Sequence, residues 1–136
     1  TAEVPPGTDP LSPEAKMIIA AGPLAGTMAP SCGRVSVGAK SPLTLGIKEA
    51  NAGGPVGQKL DRLGIRAIVV EGAPAGGKFY QLSISGKGAL LETADNLQGM
   101  GNYGIGEVLQ KKHGEKVAIM SIGEDLQSRN DETRSD

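Results

Sequence analysis

"GIKEANAGGPVGQKLDRLGIRAIVVEG", residues 46–72, is the stretch whose reading decides the fold. It passes through an Asn-Ala-Gly-Gly and then places Val56, Leu60 and Leu63 at helical spacing, with Gly64 as a stop. A nearly unbroken apolar run follows, "IRAIVVEG" (65–72). This pattern predicts a short helix over 54–63 whose N-terminus lies at the Asn-Gly-Gly, and a strand after it. Asn51, Ala52, Gly53 and Gly54 then have two readings. They cap the helix by satisfying its first free N–H groups. Alternatively, the helix N-terminus receives an anion, or the Asn oxygen holds a hard cation such as Mg²⁺. Residue types and spacing alone favour the cap.

Upstream, "MIIAA" (17–21) reads as a buried strand ending at Gly22-Pro23. "GRVSVGAK" (33–40) alternates Val35 and Val37 with Arg34 and Ser36, as a strand with one buried face does, and "SPLT" (41–44) reads as a turn. Downstream, "FYQLSIS" (79–85) and "ALLETA" (89–94) flank a turn at "SGKG", which predicts a hairpin. A second amphipathic helix is expected over 102–113, with Ile105, Val108 and Leu109 on one face and Gly114 as its stop, and a last strand over 117–122. Strands outnumber helices and at least one hairpin is antiparallel, so the fold class is α+β, sheet-rich with two short helices, rather than a doubly wound sheet. Residues 1–16 hold four prolines and read as an extended arm, 17–122 as the organised domain, and 123–136 as a polar tail.

Composition narrows the function classes. The 21 glycines sit between dense apolar runs, so they mark chosen backbone positions in a globular chain rather than a flexible one. Phe79, Tyr80 and Tyr103 are the whole aromatic set, which leaves the core to aliphatic residues. Fourteen basic residues balance fifteen acidic ones, for a net charge of −1. With no basic face and few aromatics to stack on bases, nucleic acid is not an expected partner. No apolar run approaches the ~18–20 residues of a membrane span, no secretory signal is visible, and the single Cys allows no internal disulfide, so the expected compartment is the cytoplasm.

Local chemistry offers few sites. "GPLAGTMAPSCGR" (22–34) joins two strands through glycines and ends in Arg34, a combination that can cradle an anion but lacks the Walker pattern and the helix that pattern opens. Composition alone favours an ordinary connection between strands. Cys32 sits beside Arg34, which could lower its pKa, but a lone Cys is expected to pack as a small apolar residue. His113, after Lys111 and Lys112 at a helix end, suits the helix dipole and has no companion ligands for a metal. Lys40, Glu71 and the Asp61/Arg62 pair read as surface charges. No nucleophile, base and orienter can be assembled.

The series "DPLSPEAKMIIAAGPLAGTMAPSCGRVSVGAKSPLT", "EANAGGPVGQKLDRLGIRAIVVEG", "FYQLSISGKGALLETADNLQGM" and "GEKVAIMSIG" closely resembles the N-terminal region of tungsten-dependent aldehyde ferredoxin oxidoreductases, over about residues 9–123. The resemblance implies a base-plate domain of two β-sheets on which a tungsten bis-pyranopterin cofactor lies. Its dithiolene sulfurs hold the metal, so the protein need not supply a Cys or His. It also implies a Mg²⁺ bridging the two pterin phosphates. By motif, Asn51 corresponds to the Mg²⁺-linked Asn, Gly53 to a backbone position close to the pterin, and Arg34 to an Arg bordering the cofactor. Ala52 and Gly54 complete that loop. The parent reaction implied is oxidation of an aldehyde to a carboxylic acid, with electrons passing through a [4Fe–4S] cluster to ferredoxin.

The resemblance brings an expectation about extent as well. The family's opening strand segment, its second Gly-rich cofactor segment and the Cys motif of the cluster have no counterpart in these residues. The chain is therefore expected not to turn over substrate alone, but to act with the remaining domains of a parent enzyme or with a complementing subunit. Two other readings compete. A non-catalytic structural or interaction module would keep the fold without cofactor and self-associate through sheet edges as a homo-oligomer. A small phosphate or nucleotide binder would use the 22–34 loop alone.

Overall fold

The computed structural model describes residues 3–74 and 78–122. They fall into two compact units that divide between Ala73 and Pro74.

The first unit holds strands β1 (Lys16–Ala21), β2 (Val35–Lys40) and β3 (Ile47–Ala52), helix α1 (Pro55–Arg62) and strand β4 (Ala67–Glu71). The sheet order is β3-β2-β1-β4, and every neighbouring pair is antiparallel. Register follows the apolar alternation. Ile19 lies between Val37 and Ile68, and Val35 between Ala21 and Ala52, so these residues share one face. Ile19 and Val35 are buried there, and α1 packs against β1 and buries Leu60. The helix ends as the sequence predicts. Gly64 has φ +75°, its N–H donates to the Asp61 carbonyl at 2.8 Å, and the Ile65 N–H donates to the Leu60 carbonyl at 2.9 Å. That is the Schellman arrangement, which needs a left-handed residue at this position.

Two expectations for this unit need correction, and one element was not predicted: residues 47–52 form edge strand β3. All six of its residues are exposed and Lys48 and Glu49 sit mid-strand, so it carries no apolar alternation to read. Asn51 therefore belongs to a strand, and the N-cap of α1 is Gly54, with no side-chain cap bond. The N-terminal arm is not extended in its described part. Thr8 donates to the Pro5 carbonyl, Ser12 to Asp9 and Ala15 to Ser12, a succession of turns. Lys40 Nζ holds this arm through the carbonyls of Pro6 and Thr8, and Lys16 Nζ bridges Glu3 and Glu71 at 2.9 Å each.

The second unit contains β5 (Tyr80–Ser85) paired antiparallel with β6 (Gly88–Thr93), a 3₁₀ turn at Asp95–Leu97, and α2 (Asn102–His113). Its core is Ala94, Leu97 and Ile105, with Phe79, Met100, Val108 and Leu109 packed around it. The face predicted for α2 is thus the one it buries. His113 meets Gln81 at 3.3 Å and Lys112 meets Glu92 at 3.5 Å, tying the last turn of α2 to the hairpin. The strand expected at 117–122 is a correction: those residues join no sheet among the described residues, because their apolar run finds no neighbouring strand to bond. The polar tail expected at 123–136 lies outside the described residues.

Candidate functional site

The ladder between β2 and β3 ends at Val35 opposite Ala52, so Arg34 and Gly53 leave the sheet side by side. Immediately beyond them lies a concavity of about 500 Å³ lined by Ser31, Gly33, Arg34, Gly53, Gly54, Pro55 and Gln58. Its two walls are the end of the 22–34 loop and the start of α1.

The loop is held by its own bonds. The Gly22 N–H donates to the Arg34 carbonyl at 3.3 Å across its base, and the Ala25 N–H donates to Gly22. The Thr27 hydroxyl donates to the Leu24 carbonyl at 2.7 Å. From outside, Arg66 pairs with Asp61 at 2.6 Å and reaches the Pro23 carbonyl at 3.5 Å. Asp61 thus pairs with Arg66, not with its sequence neighbour Arg62. Cys32 also differs from expectation. It is half-buried and its thiol faces the carbonyls of Leu24 and Ala29 at 2.9 Å, because an irregular loop leaves carbonyls without ladder partners. It does not line the concavity.

The second wall is a helix N-terminus. Gly54 offers no side-chain cap, Pro55 has no N–H to satisfy, and no acidic residue occupies the first turn, so the Val56 and Gly57 amides begin the helix without an intrahelical acceptor. Arg34 is exposed, and among the described residues no side chain pairs with its guanidinium. One wall therefore presents a free cation and the other the positive end of a helix, an arrangement suited to an anion. Gly53 adds a further feature. A Cβ there would meet nothing within 4 Å, and its φ is not in the left-handed region, so nothing in the surrounding fold requires glycine. The space its side chain would take is open.

Of the residues singled out in the sequence, the structure brings Arg34, Gly53 and Gly54 into one concavity. Asn51 and Ala52 sit just behind it on β3, Asn51 opposite Ser36 and Ala52 opposite Val35. Sequence reasoning missed Pro55 and Gln58, whose membership depends on how α1 docks. Among the described residues, no group of three His, Cys, Asp or Glu side chains could hold a metal ion, and no helix is long and apolar enough to cross a membrane.

Residues 1–129 match the family model of the aldehyde ferredoxin oxidoreductase N-terminal domain. The chain belongs to the aldehyde ferredoxin oxidoreductase family. It is 45% identical over 122 residues to the tungsten-containing aldehyde ferredoxin oxidoreductase of Pyrococcus furiosus, covering 89% of this chain and 20% of that protein. It is 54% identical over 70 residues to the enzyme of that description from Thermococcus kodakarensis, covering 52% of this chain and 12% of that protein. Among solved structures it is similar to the active site complex BamBC of benzoyl coenzyme A reductase, in complex with 1,5-dienoyl-CoA. The TM-score is 0.79 and the identity 31%, covering 85% of this chain and 17% of that one. The chain thus spans about a fifth of the length of the Pyrococcus furiosus relative. The two antiparallel sheets and two helices agree with the α+β class read from the strand pattern and with the two sheets that the family resemblance implied.

Proposed function

We propose that this chain is the cofactor-cradling N-terminal domain of an enzyme that oxidises an aldehyde to a carboxylic acid, and that the concavity between Arg34 and α1 takes the phosphate-bearing edge of a tungsten bis-pyranopterin. The observation that carries this reading is the unpaired Arg34 facing an uncapped helix N-terminus across a wall of glycines. When bound, the cofactor supplies the redox-active metal together with its sulfur ligands.

The residues fit such a group. Arg34 offers a planar donor fork to phosphate or to a polar pterin edge. Gly53 and Gly54 allow close approach of backbone to ligand, and Gly53 has no other reason to lack a side chain. An oxygen of Asn51, one strand position behind Ala52, would hold a Mg²⁺ accompanying the cofactor, since that ion prefers hard oxygen donors. The chain's part is to bind and orient; substrate recognition, the [4Fe–4S] cluster and the route to ferredoxin belong to the rest of the parent enzyme. The large apolar residues exposed on the second unit's hairpin, Leu82, Leu90 and Leu91, fit coverage by that remainder.

Elemental analysis of the complete parent enzyme, expressed anaerobically with tungstate, tests the reading. Stoichiometric tungsten that is lost in Arg34→Ala and Asn51→Ala supports it. Metal-free wild-type enzyme would sink it and leave a structural module, for which self-association at high concentration in size-exclusion chromatography is the signature.

A further inference from the structure

The two walls of the concavity are joined by a contact that uses glycines differently from Gly53. Gly57 lies in the first turn of α1 and is buried. A Cβ there would lie 2.8 Å from the Arg34 carbonyl oxygen, 2.9 Å from the Gly33 carbonyl oxygen and 3.1 Å from the Arg34 carbonyl carbon. All three are backbone atoms of the segment that carries the Arg34 guanidinium. They cannot swing aside as a side-chain end can, so any residue larger than glycine must push that segment away from the helix. Glycine inside a helix costs about 0.5–1 kcal/mol relative to alanine, and the helix itself gives nothing back for it. The compensation lies in the close approach.

Gly33 faces the same contact from the other wall with a softer neighbour. A Cβ on Gly33 would meet Cγ and Nε2 of Gln58 at 3.1 Å and Cδ at 3.3 Å. Gln58 is exposed, so its side chain can rotate away. Contacts at Gly57 therefore fix the spacing of the walls rigidly, and contacts at Gly33 fix it elastically.

We propose that Gly57 is a positioning residue that sets the width of the cradle, holding Arg34 at the distance from Gly53 and Gly54 that an anionic cofactor requires, with Gly33 and Gln58 as its adjustable counterpart. This rests on the cofactor reading above. It assigns a role to residues that touch the other wall rather than the ligand.

The test uses the complete parent enzyme and reads tungsten per protomer together with backbone hydrogen exchange in β1 to β4. Gly57→Ala is expected to lower tungsten occupancy roughly 10- to 100-fold, the scale typical of residues that orient metal-site ligands, while exchange protection of the sheet is kept. Gly33→Ala is expected to lower occupancy less. The double variant Gly33→Ala/Gln58→Ala should recover the occupancy of Gln58→Ala alone, because the colliding atoms are gone. Gly57→Ala should not recover when combined with Gln58→Ala. Wild-type tungsten in Gly57→Ala overturns the inference, as does a loss of tungsten that merely tracks loss of sheet protection. Failure of Gln58→Ala to relieve Gly33→Ala overturns it too. If Arg34→Ala retains full tungsten, the cofactor reading itself falls; if Arg34→Ala loses tungsten and Gly57→Ala does not, only the spacing role falls.

Discussion

Asn51 lies directly opposite Ser36 across the β2–β3 ladder, three residues before Gly54, the N-cap of α1. A residue in that register cannot also cap the helix, and its neighbour Ser36 already bonds Glu49 at 2.5 Å on the same face. Asn51 is thus held in a strand behind the concavity, where its backbone position is set by pairing rather than by the helix.

It follows that Asn51→Ala should change stability by no more than about 0.5 kcal/mol, as for an ordinary exposed site. A side-chain cap would have cost about 1 kcal/mol. Urea unfolding of wild type and variant separates the two outcomes.

Gly26 has φ +78°, and a Cβ there would fall on the Asp61 carboxylate, the partner of Arg66. Gly26→Ala should therefore destabilise by about 1–3 kcal/mol, combining left-handed strain with displacement of the carboxylate. Adding Asp61→Ala should remove the collision with the carboxylate, but not the 2.8 Å contact with the residue 61 Cβ or the backbone strain. A double-mutant cycle should accordingly show non-additivity between the two sites.

In the second unit, Ile105 is the buried residue of α2 and packs with Ala94 and Leu97. Ile105→Ala should cost about 2–5 kcal/mol by lost transfer energy and a residual cavity. Tyr103, 93% exposed on the same helix, should tolerate alanine within about 0.5 kcal/mol. Thermal unfolding of both variants checks the contrast.

The arm contact has a defined pH window. The Glu3 carboxyl is held below its ordinary value of 4.5 by its hydrogen bond to Lys16, so its contribution is present above 4.5 and is lost as pH falls through the lowered value. Lys16 is pushed up to about 12 by its bonds to Glu3 and Glu71, so its contribution is full below the ordinary 10.5 and is lost as pH rises through about 12. Docking of the arm should hence stay constant through neutral pH and weaken in acid. Salt should weaken it as well, since both carboxylates, Glu3 and Glu71, are exposed. The Gly72 amide, which donates to the Pro13 carbonyl at 3.1 Å, reports on it by hydrogen exchange, and Lys16→Ala should raise its exchange rate at neutral pH.

The sequence by itself determined the elements whose signal is local. Periodicity and a glycine stop placed α1 and α2, apolar runs placed β1 and β4, and alternation around a short turn placed the β5–β6 hairpin. Motif order carried the family, and with it the expectation that Arg34, Asn51 and Gly53 work together. Tertiary structure alone decided where pairing or close approach does the choosing. Residues 47–52 became a strand because β2 offered an edge, although their own composition did not ask for one. Residues 117–122 had the composition of a strand and, among the described residues, found no edge to join. The same ladder ends at Val35 and Ala52, which releases Arg34 and Gly53 side by side, and only the docking of α1 shows that Gly57 must be small for Arg34 to lie where it does. Periodicity reports what a segment buries; it carries no record of which backbones pack so closely that a Cβ on one would come within 3 Å of the other, as at Gly57 and the Gly33 and Arg34 carbonyls.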